Sequence, residues 1–198
     1  MTLPTLPPLA TIDPHRLALS GSIRSERRLS DLEGVFEDEA ARRDTLERDD
    51  PVVYRVFAVE CSADEPGALS FGLGVIQPGR VGDEYFMTKG HLHTRREAAE
   101  VYVGMAGRGI MLLEDHRDGR CRAVAFGPND VVYVPGHTAH RTVNVGTEPL
   151  AYLGIYPSDA GHDYAAIAAG NFRQRVVRTD DAPRVVERAM RVVPGGAS

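Results

Sequence analysis

The sequence predicts an all-β fold, a sandwich or small barrel, on three observations. Between Pro51 and Pro157 the chain becomes a succession of short runs rich in valine, tyrosine and phenylalanine. Turn-forming clusters separate them: Gln77-Pro78-Gly79, Gly107-Arg108-Gly109, His116–Gly119, Gly127–Asp130 and Gly146–Pro149. No internal repeat of solenoid type is present, so strands at this spacing read as one sandwich or barrel.

Taken in order, residues 1–20 are rich in proline and lack periodicity, which predicts an extended arm. After Arg28-Leu29-Ser30-Asp31-Leu32-Glu33-Gly34 comes a charged stretch, Val35 to Arg48. Its apolar residues Val35, Phe36, Ala40 and Leu46 are loosely helix-spaced, and Asp49-Asp50-Pro51 stops it. Strands are expected over Val52–Cys61, Ala68–Gln77, Tyr85–His93, Glu100–Gly104, Ile110–Glu114, Arg122–Phe126, Val131–Val134, His140–Asn144 and Ala151–Tyr156. The tail adds a short helix over Asp163–Ala169, with Gly170 as its C-cap, then strand-like pieces at Phe172–Arg178 and Arg184–Glu187. The expected organisation is an N-terminal arm and helix (1–50) packing on a barrel with C-terminal strands (51–190), and a flexible tail (191–198).

Composition bounds the function. The 198 residues suit one domain with a good core, and 42% hydrophobic with 26% charged residues is ordinary for a globular protein. A net charge of −5 argues against nucleic-acid binding, because no basic stripe is available to displace counterions. An anionic small substrate stays open, since a local site can be positive on an acidic protein. The N-terminus has no basic segment followed by an apolar run, so neither a signal peptide nor a membrane anchor is expected and the compartment is read as cytoplasmic. Cys61 and Cys121 lie apart, without CxxC spacing, and are read as reduced core thiols. Of 23 basic residues only Lys89 is lysine, which marks it for a role that arginine cannot fill.

Three elements carry chemistry. In Gly90-His91-Leu92-His93, alternate residues on a strand share a face, so the two histidines project together. In Thr94-Arg95-Arg96-Glu97-Ala98-Ala99-Glu100-Val101-Tyr102-Val103, two glutamates compete. Glu97 sits in a charged loop, whereas Glu100 opens a strand, where a functional group is held more rigidly. In Val134-Pro135-Gly136-His137-Thr138-Ala139-His140, a turn on Pro135-Gly136 reverses the chain and presents His140 on the returning strand; His137 stays in the turn.

Two strand histidines, a glutamate and a distant third histidine make a set that resembles the cupin superfamily, a jelly-roll barrel. His-x-His, Glu100 with six residues to Gly107, and Pro135 followed by His140 and Asn144 follow its two motifs. The spacing departs in places: the gap from His93 to Glu100 is longer, and the first glycine of the second motif is replaced by Asn129, which also tolerates positive φ. Its second glycine is shifted to Gly136, leaving His137 in that place. Within the superfamily, Arg28–Leu32, Thr88-Lys89-Gly90-His91-Leu92-His93, Glu100-Val101-Tyr102, Ala139–Asn144 and Tyr156-Pro157-Ser158-Asp159-Ala160-Gly161-His162-Asp163-Tyr164 are similar to the cupin-type glucose-6-phosphate isomerases, over about residues 24 to 190. His137 departs from the bulky aromatic of the archaeal members.

The resemblance implies one divalent metal ion held by His91, His93, Glu100 and His140. Four protein ligands on an octahedral ion leave two positions for substrate oxygens, which favours Fe²⁺ or Mn²⁺ over a closed tetrahedral Zn²⁺, with Zn²⁺ or Ni²⁺ able to intrude. It implies aldose–ketose isomerisation with Glu100, Tyr156 and His162 as catalytic candidates. Thr88, the Gly90 N–H, Tyr102 and Tyr164 are the implied contacts to a phosphosugar, with Lys89 as an added charge. It also implies a homodimer. A cupin oxygenase, a mannose-6-phosphate isomerase and a non-catalytic sugar-binding cupin are the alternatives.

Overall fold

A computed structural model describes residues 10–168, 170–180 and 182–188. The expected tail at 191–198 and residues 1–9 of the arm lie outside them. The described residues form fifteen strands: β1 (Ile12–Asp13), β2 (Ala18–Leu19), β3 (Ile23–Arg28), β4 (Val52–Val59), β5 (Leu69–Ile76), β6 (Arg80–Val81), β7 (Glu84–Tyr85), β8 (Glu100–Ala106), β9 (Gly109–Asp115), β10 (Cys121–Phe126), β11 (Val131–Val134), β12 (Thr138–Asn144), β13 (Leu150–Pro157), β14 (Gln174–Thr179) and β15 (Ala182–Glu187). Two short α-helices accompany them, α1 (Glu39–Leu46) and α2 (Ala165–Ala168).

The strands form a six-stranded sheet, β11-β8-β13-β5-β4-β3, a three-stranded sheet, β10-β9-β12, and smaller sheets β15-β14-β7-β6 and β1-β2. From β8 onward the chain alternates between the two main sheets. β8 lies in the larger, β9 and β10 in the smaller, β11 in the larger, β12 in the smaller and β13 back in the larger. That alternation of antiparallel strands is the jelly-roll arrangement. Period-two patterning drives it: β11 buries Val132 and Val134 and exposes Val131 and Tyr133. Met111, Phe126, Val134, Val143 and Tyr152 belong to the core that these strands share. Among the described residues no helix is long and apolar enough to cross a membrane.

Several sequence expectations are corrected. The arm is a hairpin from Ile12 to Leu19, because the Asp13 carboxylate accepts the His15 and Arg16 N–H groups, each at 3.0 Å, and turns the chain. Its Leu19 packs on Leu73, Val75 and Ala151. Helix α1 starts at Glu39, because the Asp38 side chain caps it by accepting from Ala41 N at 2.8 Å; Val35 and Phe36 enter the core ahead of it. The segment expected as one strand, Tyr85–His93, breaks after Tyr85. Gly90, at φ +72°, cannot continue a strand, and the segment returns to β12 only through the bridges Met87↔Val143 and His91↔His140. Cys61 and Cys121 are free but half-buried rather than core. Helix α2 spans Ala165–Ala168, shorter than expected, with the Asp163 carboxylate accepting from Ala166 N at 3.0 Å.

The turn before His91 is fixed from below by Arg141. Its guanidinium, almost fully buried, donates to the Lys89 carbonyl through Nε (3.2 Å) and Nη2 (2.5 Å) and to Asn171 Oδ1 through Nη1 (2.8 Å). Its Cζ lies 4.4 Å from the centre of the Phe172 ring. Replacing it by methionine would strip both donors from the Lys89 carbonyl and one of the two from Asn171 Oδ1, which also accepts from Phe172 N. Arg141→Met is expected to lower unfolding stability by about 2–4 kcal/mol, measured by denaturant titration. An unchanged midpoint would show that the turn holds itself.

Candidate metal centre

β8 starts at Glu100, and its alternation buries Glu100, Tyr102 and Gly104 while leaving Val101 and Val103 half-buried. β12, in the facing sheet, carries His140 with 2% of its surface exposed. His91 is docked to His140 by a reciprocal backbone pair, 3.2 Å from His91 N to His140 O and 3.0 Å from His140 N to His91 O. His93 follows two residues on and is buried. The His91 ring lies 4.2 Å from that of His140 and 5.3 Å from that of His93, centre to centre. One ligand atom from each of His91, His93, Glu100 and His140 can be chosen so that all lie within 4.8 Å of one another.

Protonation explains what this cluster is for. His93 Nδ1 lies 3.0 Å from the Ala98 carbonyl and His140 Nδ1 lies 3.2 Å from the Thr138 carbonyl. A carbonyl only accepts, so each Nδ1 carries the proton and each Nε2 presents a lone pair. Those lone pairs face Glu100 Oε2 at 3.3 and 3.0 Å, with His91 Nε2 at 3.9 Å. All four atoms are buried and without a hydrogen-bond partner. Acceptors gathered on an acceptor fit a cation, and the imidazole–carboxylate donor set suits a divalent transition metal. Burial opposes ionisation of Glu100, yet His140 and His93 outweigh it and hold the carboxyl well below the usual range. Burial pulls His91 well down, whereas at His93 the pull of burial is overcome by Glu100 and the Ala98 carbonyl, and its pKa rises.

Around the cluster lies a cavity of about 230 Å³. The segment 160–163 runs beside 92–95 through the Leu92↔Asp163 bridge and the N–H groups of Thr94 and Arg95, which donate to Gly161 O (3.4 Å) and Ala160 O (2.9 Å). Arg96 ties the two together, donating to His93 O at 2.5 Å and to Asp163 Oδ2 at 2.6 Å. His162 is thereby set 4.4 Å from His91 and 5.5 Å from Tyr156, ring to ring, and stacks on Tyr164 at 6.0 Å. His162 is open to solvent on one side, but its packing withdraws it from water enough to lower its pKa. Burial, then the Glu100 charge, pushes Tyr156 up to about 12 and Tyr102 well above its ordinary value. Gly154 of β13 leaves room for Glu100, since a Cβ there would stand 2.7 Å from Oε1.

Nine of the eleven residues singled out in the sequence border this cavity: Thr88, Gly90, His91, Glu100, Tyr102, His140, Tyr156, His162 and Tyr164. His93 sits behind it in the cluster. Lys89 is not among the residues that border the cavity; its carbonyl accepts from Arg141. The rivals Glu97 and His137 lie outside the cluster, 3.9 Å from each other, with Glu97 well exposed. The left-handed residue of that turn is His137, at φ 61°, rather than Gly136; Asn129, at φ 69°, does take the glycine-like conformation. Sequence reasoning missed Ser25, Arg27, Tyr54, Glu60 and Tyr152 on the cavity wall. A wider groove, about 910 Å³ and bordered by Arg80, Arg108 and Phe126, contains none of the site residues.

The family model for glucose-6-phosphate isomerase (GPI) matches residues 26–191. The chain is 47% identical over 169 residues to the glucose-6-phosphate isomerase of Pyrococcus furiosus, covering 85% of this chain and 88% of that one. It is 44% identical over 154 residues to that of Sinorhizobium medicae, covering 77% and 71%. A solved structure of oxalate decarboxylase from Bacillus subtilis overlays 55% of this chain and 26% of its own, with a TM-score of 0.44 and 25% identity.

The competing ligands can be separated by metal content. Glu100→Ala and His140→Ala are expected to lose the ion after reconstitution with Mn²⁺ and dialysis, whereas Glu97→Ala and His137→Ala keep most of it. Elemental analysis decides, and a site emptied by Glu97→Ala but not by Glu100→Ala would overturn the assignment. Gly154→Ala, which presses on Glu100 Oε1, should weaken metal affinity while removing no ligand.

Proposed function

The chain belongs to the glucose-6-phosphate isomerase family, and on that premise we propose how its cavity interconverts glucose 6-phosphate and fructose 6-phosphate. The observation that carries the reading is the cluster of four buried, unpartnered acceptor atoms, three of whose residues border a cavity that also presents hydroxyls and rings. His91, His93, Glu100 and His140 would hold one divalent ion, and Fe²⁺ or Mn²⁺ suits four protein ligands with positions left for substrate. When bound, such an ion supplies Lewis-acid polarisation of the sugar carbonyl.

The side chains supply proton movement. Isomerisation shifts a proton from C2 to C1 through a cis-enediol, so a base must reach both carbons from one face. Glu100 is that base in this reading, with Oε2 toward the histidines and Oε1 on the side of Gly154. The open-chain sugar forms first. His162, kept neutral by its packing, accepts the O1 hydroxyl proton, and Tyr156, whose pKa of about 12 keeps it protonated, donates to the ring oxygen. Thr88, Gly90, Tyr102 and Tyr164 line the remaining wall and position the sugar. A homodimer is the proposed assembly, since edge strand β11 exposes Val131 and Tyr133, apolar surface that a second copy would cover.

Metal-loaded protein should convert glucose 6-phosphate to fructose 6-phosphate with no oxygen consumed and no nucleotide added. Free glucose should be a far poorer substrate, because remote phosphate binding energy positions the reacting carbons. Oxygen uptake with substrate cleavage, or no turnover by fully metallated protein, would reject the mechanism. Sedimentation at micromolar concentration should give a dimer; a monomer would remove that part of the proposal.

A further inference from the structure

We infer that Arg27 recognises the substrate phosphate, an assignment that rests on the phosphosugar reading above. The alternation of β3 carries it. Cross-strand pairing with β4 sets Glu26 opposite Arg55, and sets Ser25 and Arg27 opposite Val56 and Tyr54. On the outer face Glu26 is saturated, with Arg24, Arg55 and Arg28 at 2.7, 2.9 and 3.3 Å from its carboxylate. Arg27 is turned to the other face, with Tyr54 and Val56, and borders the cavity.

Among the described residues Arg27 has no carboxylate partner. Its one side-chain hydrogen bond runs from Nη1 to its neighbour's carbonyl, Glu26 O, at 3.0 Å, which leaves most of its donor fork free. Among the described residues it is also the only arginine or lysine bordering the cavity, whose other fixed charges are the carboxylates of Glu60 and Glu100. These charges are set apart. Arg27 favours the ionised forms of Tyr54 and Tyr164, whereas Glu60 acts on Tyr156 and His162. Tyr54, its cross-strand partner, is hydrogen-bonded by the Lys89 backbone, so Arg27 belongs to the same wall as the Thr88–Gly90 turn.

The chemistry follows from the charge count. A phosphate monoester brings close to two negative charges into a cavity that already holds two carboxylates. Hydroxyls and backbone N–H groups solvate that charge but do not neutralise it, and Lys89 is not among the residues that border the cavity. A guanidinium offers parallel donors matched to two phosphate oxygens, which a lysine cannot reproduce.

The test uses metal-loaded full-length protein. Arg27→Met is expected to raise KM for glucose 6-phosphate about 10- to 100-fold, with kcat changed far less and metal content unaltered; Arg27→Lys should recover part of the loss. Ser25→Glu sets a carboxylate beside Arg27 on the same face. It should raise KM in the same direction with the side chain in place, which keeps the inference testable if Arg27→Met does not fold. Binding of inorganic phosphate, followed as a thermal shift of the loaded protein, should weaken in parallel. Unchanged KM and phosphate affinity in these variants, or the same loss in Lys89→Met instead, would overturn the assignment. If the wild type turns over no phosphosugar, the isomerase mechanism fails while the phosphate titration still decides the role of Arg27.

Discussion

Everything in the site follows from keeping four electron-rich atoms together in one buried space. Glu100 Oε2 and the Nε2 atoms of His91, His93 and His140 repel one another unless a cation or shared protons lie among them, so the fold must hold them there. The jelly-roll does so by facing sheets: β8 delivers the carboxylate from one and β12 delivers His140 from the other. The remaining pair comes from an irregular segment. That segment is pinned by the His91–His140 backbone pair, by the Arg141 clamp on Lys89 O and by the Arg96 contact to His93 O. Each pin uses backbone carbonyls, which position a ligand without competing for its lone pair.

The same constraint explains two glycines. Gly90 supplies the left-handed turn that aims His91, and a side chain there would strike the Phe172 ring at 2.6 Å and His140 O at 2.9 Å. Gly154 clears the volume that Glu100 needs next to β13. Rigid packing beneath the cluster contrasts with the mouth, where His162 and Tyr164 are exposed and sit on the irregular stretch between β13 and α2.

Most of the strand framework was legible in the sequence because period-two patterning and turn residues report directly on a two-faced sheet. The cluster was legible for a related reason, since His91 and His93 stand two residues apart and Glu100 and His140 sit on strands. What the sequence hid was contributed by elements that break its own texture. β3, read from Ser25-Glu26-Arg27-Arg28, looks like a polar surface run, because its inward face carries a cavity wall rather than core. The break inside Tyr85–His93 was hidden by flanking β-formers that outweigh a single Gly90. The hairpin at the start of the chain depends on Asp13 capping its own turn, a hydrogen-bond detail that composition does not reveal.

Rarity in the sequence singles out Lys89, but placement in the fold decides which residues border the cavity. As the only lysine, two residues before His91, Lys89 looked chemically selected. Thr88 and Gly90 look into the cavity, and Lys89 contributes its backbone to Arg141 and Tyr54. Arg27 meets the opposite fate, since it is one of many arginines yet is the one whose neighbours on β3 leave it facing inward without a counter-ion. An acidic protein can therefore accept a doubly charged substrate. Its net charge is a property of the whole surface, whereas the field that the phosphate meets is set by the few charges bordering the cavity, and Arg27 is the cation among them.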